Sequence, residues 1–226
     1  MIVSIHQPNF LPWAGYFYKV AESDVFVFLD TVQYSKNSLI NRNRIKTPQG
    51  PLWLTVPVSY RHPQSIREVE INNAADWRKK HLKTLEMNYR KSPCFEEIYP
   101  GIADVYRSED WRNLSRLNIR LASHVLEYLE IPTRTVIASN LAVSGKSTEL
   151  LVNIIKKLGG DTYLSGFGGA KYQDEDLFTR DGIELRYYDF KSPVYPQPWG
   201  EFEANLSIID LLFNCGKESR KILLQG

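Results

Sequence analysis

A histidine beside two prolines is the first feature of the chain that could support catalysis. A short apolar stretch ends at His6, and Gln7, Pro8 and Asn9 follow directly. Imidazole exchanges a proton near neutral pH, and prolines restrict the backbone, so such a loop would hold polar groups in place at low entropic cost. We therefore assign candidate catalytic roles to His6, Gln7 and Asn9, with His6 as general base. The alternative is that His6 only fixes the loop through hydrogen bonds.

Two arginines interleaved with asparagines are the first candidate anion site. Asn41, Arg42 and Arg44 lie close together in the sequence, and Lys36 precedes them. Guanidinium groups make forked hydrogen bonds to phosphate, so we assign these four residues to substrate or phosphate binding. From the residues alone, a solvated loop is the simpler explanation of this segment.

A glycine-rich segment is the second candidate. Backbone N–H groups of small residues that follow a strand can approach an anion or a sugar diphosphate closely. The candidate residues are Ser165, Gly166, Gly168 and Gly169. Lys171 and Tyr172 favour binding over a simple turn. Further along, Tyr195 and Gln197 are the aromatic and amide types that line sugar pockets, although a purely structural role is the main alternative.

Three familiar signatures are incomplete or absent. A phosphate-binding P-loop ending at Lys146 would need a glycine where the chain has Asn140. Aligned on Gly15, the His-x-Gly-His motif of nucleotidyltransferases has Trp13 and Tyr16 in place of its histidines. The spacing of His and Cys predicts no metal site.

Composition restricts the class of protein. The 226 residues carry 28 Lys plus Arg and 26 Asp plus Glu, a net charge of +2, and 43% of them are hydrophobic. This balance is typical of a globular protein and argues against a dedicated nucleic-acid binder. No apolar run approaches a membrane span, the start resembles no signal peptide, and two cysteines are too few for a disulfide framework. We expect a cytoplasmic protein without a membrane partner.

Strand and helix patterns alternate near the two ends of the chain. Strands are predicted over residues 2–5, 24–29, 134–138, 161–165 and 182–188, and helices over 15–21, 76–89, 110–129 and 146–158. A hairpin over 44–56 and a strand over 67–71 complete the prediction. We expect Ser144 to cap the helix that starts at 146, and Ser207 to form a capping box with Asp210.

This alternation predicts an α/β fold with a mostly parallel sheet flanked by helices. A β-hairpin insertion and a helical middle portion, about residues 75–131, would complete a single domain spanning residues 1–226. Ligands of such sheets bind beyond the carboxyl ends of the strands. His6, Asp30 and the segment 165–169 all fall at predicted carboxyl ends, so we expect them to converge.

Taken together, these segments resemble the WbqC-like protein family. The resemblance covers nearly the whole chain and lies in the blocks 6–17, 41–45, 53–58, 163–166, 195–197 and 205–214. It implies a role in bacterial surface-polysaccharide synthesis, notably of O-antigen and hence lipopolysaccharide. It also strengthens the assignment of His6, Gln7, Asn9, Asn41, Arg42 and Arg44.

The function that we expect is transfer of an acyl or aminoacyl group to a nucleotide-linked amino sugar. The donor stays open among an acyl-adenylate made from ATP, an aminoacyl-tRNA and an acyl-CoA, so the sequence names no cofactor. The alternatives are a non-catalytic sugar-nucleotide-binding or assembly protein and a nucleotidyltransferase-like enzyme.

Overall fold

The computed structural model describes residues 1–166, 168–170 and 172–225. The strands are β1 (Ile2–His6), β2 (Val25–Phe28), β3 (Arg42–Thr47), β4 (Gly50–Thr55), β5 (Val58–Ser59), β6 (Glu70–Ile71), β7 (Arg134–Ile137), β8 (Thr162–Gly166) and β9 (Glu184–Tyr188). The helices are α1 (Ala14–Ala21), α2 (Trp77–Tyr89), α3 (Phe95–Arg107), α4 (Leu114–Tyr128), α5 (Ser147–Leu158), α6 (Glu175–Arg180), α7 (Ile208–Cys215) and α8 (Glu218–Leu224). The α/β class predicted from the sequence is confirmed.

Five of these strands form one parallel sheet. Their order across the sheet is β7-β2-β1-β8-β9, and every neighbouring pair is parallel. The chain therefore builds outward from β1 to β2 and β7, and then crosses to β8 and β9 on the other side. The direction of building reverses between β1 and β8, and such a switch point leaves a crevice at the carboxyl ends of the two strands.

Alternation along the strands explains why both faces of the sheet are covered. Val25 and Val27 pack with α5 and α6 on one face, whereas Phe26 and Phe28 pack with α1, α7 and the middle helices on the other. Successive side chains of a strand point to opposite faces, so an uninterrupted apolar run is buried on both sides. All four residues of β2 are buried, as this geometry requires.

The predicted hairpin and helical middle portion both lie between β2 and β7. Strands β3 and β4 pair antiparallel in the register Arg42↔Thr55 to Thr47↔Gly50, and α2, α3 and α4 follow. Helix α3 was not predicted, because Pro100 and Gly101 lie inside it and weaken its sequence signal. Its apolar residues nevertheless pack into the larger core cluster.

Four local predictions were wrong. Residues 67–71 form part of a 3₁₀ turn (Ile66–Glu68) and the two-residue β6, and α4 begins at Leu114, capped by Asn113, rather than at residue 110. Helix α5 begins after Lys146, so Ser144 lies too early in the sequence to be its cap. The hydroxyl of Ser207 bonds to a loop carbonyl, and no capping box forms at α7.

Among the residues that the structure describes, no helix is both long enough and apolar enough to cross a membrane.

Candidate functional site

A cleft of about 840 Å³ opens at the switch point, between the carboxyl ends of β1 and β8. This volume lies within the usual range of small-molecule sites. Residues from β1, α1, β8, β9 and the start of α5 line it. The predicted site residues among the lining are His6, Gln7, Ser165, Gly166, Gly168 and Gly169. The structure therefore brings together the segment that begins at His6 and the glycine-rich segment.

His6 ends β1 and stands in the cleft as a neutral imidazole with a defined tautomer. Its Nδ1 lies 3.1 Å from the carbonyl oxygen of Gln7. A carbonyl only accepts hydrogen bonds, so Nδ1 carries the proton and Nε2 has a free lone pair. Burial, together with the nearby charge of Lys19, lowers the pKa of His6 to about 4. The ring packs edge-on against Tyr16, with 4.8 Å between the ring centroids, which fixes its orientation.

Lys19 is a cleft residue that the sequence analysis did not select. It is only 3% exposed, and its Nζ donates to the carbonyl oxygen of Ile5 at 2.7 Å. Burial lowers the pKa of Lys19 to about 7. The sequence did contain a signal for this residue. Lys19 is a cation inside the apolar run of α1, where burial of a charge is costly unless another group compensates it.

The glycine turn after β8 packs closely against Gln173. The side-chain amide of Gln173 donates to the Ser165 hydroxyl at 3.0 Å and to the Tyr163 hydroxyl at 3.4 Å. A Cβ on Gly169 would lie 2.7 Å from Gln173 and 2.8 Å from Ser165, so a larger residue there would displace these two side chains. Lys171, which was expected to favour binding, and Phe167 lie outside the described residues.

Aromatic rings form another wall of the cleft. Trp13 and Phe190 meet edge to face with 5.4 Å between their centroids, and Tyr188 lines the cleft beside Phe190. A Cβ on Gly15 would lie 2.3 Å from the Trp13 ring, which explains the glycine that follows Trp13. Flat aromatic surfaces of this kind suit a sugar or a base. The neighbouring Asp189 adds an exposed carboxylate.

The first turn of α5 also reaches the cleft, through Ser147 and Thr148. Thr148 is buried, and its hydroxyl accepts a hydrogen bond from the backbone N–H of Asp174 at 3.0 Å. Because the N–H groups of a first helical turn carry partial positive charge, this end of the cleft favours negative groups.

The asparagines and arginines of β3 and the residue before it do not line the cleft. Asn41 and Asn43 are buried, and they bond to the carbonyl oxygens of Val56 and Leu11. Arg42 and Arg44 both lie near the Trp53 ring, at 4.4 and 5.9 Å from its centroid. The strand alternation of β3 explains this split, because residues two apart share a face.

The remaining candidates also lie elsewhere. Asn9 is buried outside the cleft lining, and Lys36 is exposed. Tyr195 and Gln197 both donate to the buried carboxylate of Asp210, at 2.9 and 2.8 Å.

Asp30, which was expected to converge on the site, instead accepts two hydrogen bonds from Ser139, at 2.9 and 2.7 Å. It does not line the cleft.

Many of these outlying groups hold the loop that follows His6. The carbonyl oxygen of Leu11 accepts hydrogen bonds from Asn43 and Ser207, at 2.7 and 2.8 Å. The carbonyl of Pro12 accepts from the N–H of Ile208, and Asn118 donates to the carbonyl of Pro8. Segments far apart in the sequence thus brace one proline-rich loop, and His6 lies at its start.

The described residues contain no group of three or more His, Cys, Asp or Glu side chains that could hold a metal ion.

The fold and the cleft together define a doubly wound α/β protein with a ligand-sized site at the switch point of its sheet. The chain belongs to the WbqC-like protein family, which it matches over residues 7–222. A protein of Mycobacterium tuberculosis (strain ATCC 25618 / H37Rv), described as "Uncharacterized protein Rv1507c", is 41% identical over 220 residues, which cover 96% of this chain and 95% of that protein. No solved structure gives a significant match.

Proposed function

We propose that this protein transfers an acyl or aminoacyl group to the amine of a nucleotide-linked amino sugar during synthesis of a bacterial surface polysaccharide such as O-antigen. The observation that carries the proposal is a neutral imidazole with an available Nε2 in a cleft at the sheet's switch point. Membership of the family supports the pathway, and the residues of the cleft support the chemistry.

The reaction needs a proton acceptor and a stabilised oxyanion. As the sugar amine attacks the activated carbonyl, His6 Nε2 removes its proton, and the carbonyl oxygen gains negative charge. Gln7 and the N–H of Gly168 are the cleft donors for that oxygen. The leaving group then departs and the new amide remains on the sugar. Any of the three donor types, acyl-adenylate, aminoacyl-tRNA or acyl-CoA, satisfies this scheme.

The substrate occupies the cleft through two kinds of contact. The wall of Trp13, Tyr188 and Phe190 stacks against the sugar or the base, and Asp189 accepts hydrogen bonds from hydroxyl or ammonium groups. The phosphates lie towards the glycine turn and the first turn of α5. Arg42, Arg44 and Lys36 stand outside the cleft lining, so this arrangement assigns them no phosphate.

Mass spectrometry of the sugar tests the proposal. Pure protein is incubated with nucleotide-linked amino sugars, ATP, amino acids and acyl donors, and a gain in sugar mass identifies both substrates. We expect His6→Gln to lower turnover by roughly 10²- to 10⁴-fold. His62→Gln is the matched control, because His62 is exposed and lies outside the cleft lining. Full turnover by His6→Gln would remove His6 from the mechanism.

Nucleotidyl transfer is a second candidate that the strand order favours. Numbered along the chain, the five sheet strands have the order 3-2-1-4-5, which nucleotide-binding folds share. The same incubations separate the two reactions. Release of pyrophosphate from a nucleoside triphosphate and a sugar phosphate, with no acylated sugar, would replace the acyl-transfer proposal.

A further inference from the structure

Lys19 is a buried ammonium group without a carboxylate partner. None of the ion pairs among the described residues includes it, and the one acceptor of its Nζ is the carbonyl oxygen of Ile5. An ammonium group has three N–H donors, so two are left without a protein acceptor in the described part of the chain. Burial of a charge in this state is unfavourable unless another group supplies the opposite charge.

The groups that face Lys19 do not compensate its charge. His6 on β1 is neutral near pH 7, and the nearby charge of Lys19 contributes to its low pKa. From β8, the ring of Tyr163 lies with its centroid 5.9 Å from Nζ, and Tyr188 and Asp189 belong to the same cleft. Burial keeps the pKa of both tyrosines near 12, so they stay neutral. Asp189 is exposed and makes no ion pair with Lys19 within the described residues.

We propose that Lys19 binds a phosphoryl oxygen of the nucleotide, whose negative charge completes this buried site. The choice of a nucleotide rests on the proposed function. A phosphate is favoured over a carboxylate because it offers more oxygen acceptors, and the cleft that Lys19 lines also contains the glycine turn and the first turn of α5. Lys19 then has the phosphate-binding role that was predicted for Arg42 and Arg44, which lie near Trp53 and outside the cleft lining.

Proton uptake is the signature of this arrangement. Since the pKa of Lys19 is about 7, the side chain is mostly neutral at pH 8 in the protein alone. A phosphate beside Nζ favours the charged form, so ligand binding raises this pKa and draws in a proton. The affinity for the ligand therefore falls as the pH rises above 7. A lysine that only packs against the core would show neither effect.

Calorimetry with defined probes tests the inference. UDP and inorganic pyrophosphate are titrated into wild-type protein and into Lys19→Met at pH 7 and pH 8, in buffers of different ionisation enthalpy. Glycine serves as the carboxylate probe. Lys221→Met is the matched control, because Lys221 is exposed on α8 and does not line the cleft. Circular dichroism confirms that each variant is folded.

We expect Lys19→Met to bind UDP and pyrophosphate at least tenfold more weakly, whereas Lys221→Met binds them normally. At pH 8 the wild type should take up close to one proton with UDP and Lys19→Met almost none. Equal affinities in the two proteins, no binding of UDP to the wild type, or dependence on Lys19 for glycine alone would each overturn the inference. Loss of UDP binding without any acyl transfer would support Lys19 and count against the proposed function instead.

Discussion

Replacement of Lys19 by methionine should make the protein more stable at neutral pH. The pKa of Lys19 falls from 10.5 to about 7 on burial. Since each pKa unit is worth about 1.4 kcal/mol, the charged side chain costs the fold on the order of 4 kcal/mol at pH 7. Methionine removes that cost but leaves the carbonyl of Ile5 without its donor, a loss of roughly 1–3 kcal/mol. The expected net gain in unfolding free energy is about 1–3 kcal/mol.

The sign of the pH dependence follows from the two protonation states. Unfolded Lys19 keeps its proton up to its ordinary pKa, whereas folded Lys19 loses it near pH 7. Between these values the unfolded state binds more protons, so the stability of the wild type rises with pH. Below pH 7 both states are protonated and the cost is constant. The advantage of Lys19→Met should therefore shrink by about 2–3 kcal/mol between pH 7.5 and pH 9.5.

Urea denaturation of the two proteins across this pH range measures the effect. Other titrating groups act equally on both proteins, so the difference between their unfolding free energies isolates Lys19. The variant Lys221→Met should follow the wild type at every pH, because its side chain is exposed. Parallel pH profiles for the wild type and Lys19→Met would refute the reasoning, since they would mean that Lys19 titrates alike in both states.

Two further variants test the packing around the cleft. Asn118→Leu should lower the unfolding free energy by about 2 kcal/mol, because the carbonyls of Pro8 and Ile40 lose their buried donor. Removal of the unpaired Oδ1 of Asn118 offsets part of this loss. An unchanged midpoint in urea denaturation would show that these hydrogen bonds are unimportant. Gly160→Ala should cost about 1–3 kcal/mol, since its Cβ would lie 2.6 Å from a buried side chain, whereas Gly168→Ala meets nothing within 4 Å and should be neutral. Equal melting temperatures for the two alanine variants would contradict this comparison.

Periodic, local signals were sufficient to predict most of the architecture. The apolar run of β2, the hairpin around Pro48 and the glycine after α5 each specify backbone geometry within a few residues. The predictions failed where contacts between distant segments determine the local structure. Helix α3 forms despite Pro100 because its apolar face is buried. The side chain of Asp210 turns away from the helix start because three donors from distant segments surround it.

The residues of the candidate site also fall into those that could be predicted from the sequence and those that could not. His6 and the segment 165–169 could be paired from the sequence because both follow strands of one parallel sheet, whose carboxyl ends share an edge. Lys19 was not selected: its only signal in the sequence is a cation inside an apolar run, and the packing of α1 beside β1 is needed to show that its charge is buried. Arg42 and Arg44 have the residue types of a phosphate site, yet the alternation of β3 directs them towards Trp53.

The sequence by itself determined most of the elements, the class of fold and the family, because these depend on residue patterns along the chain. The tertiary structure alone decided which polar groups share a cleft and which brace the loop behind it. The physical reason is that charge and hydrogen-bonding partners depend on distances between segments up to about 200 residues apart, as between Leu11 and Ser207. Spacing in the sequence carries no information about those distances until the sheet order is known.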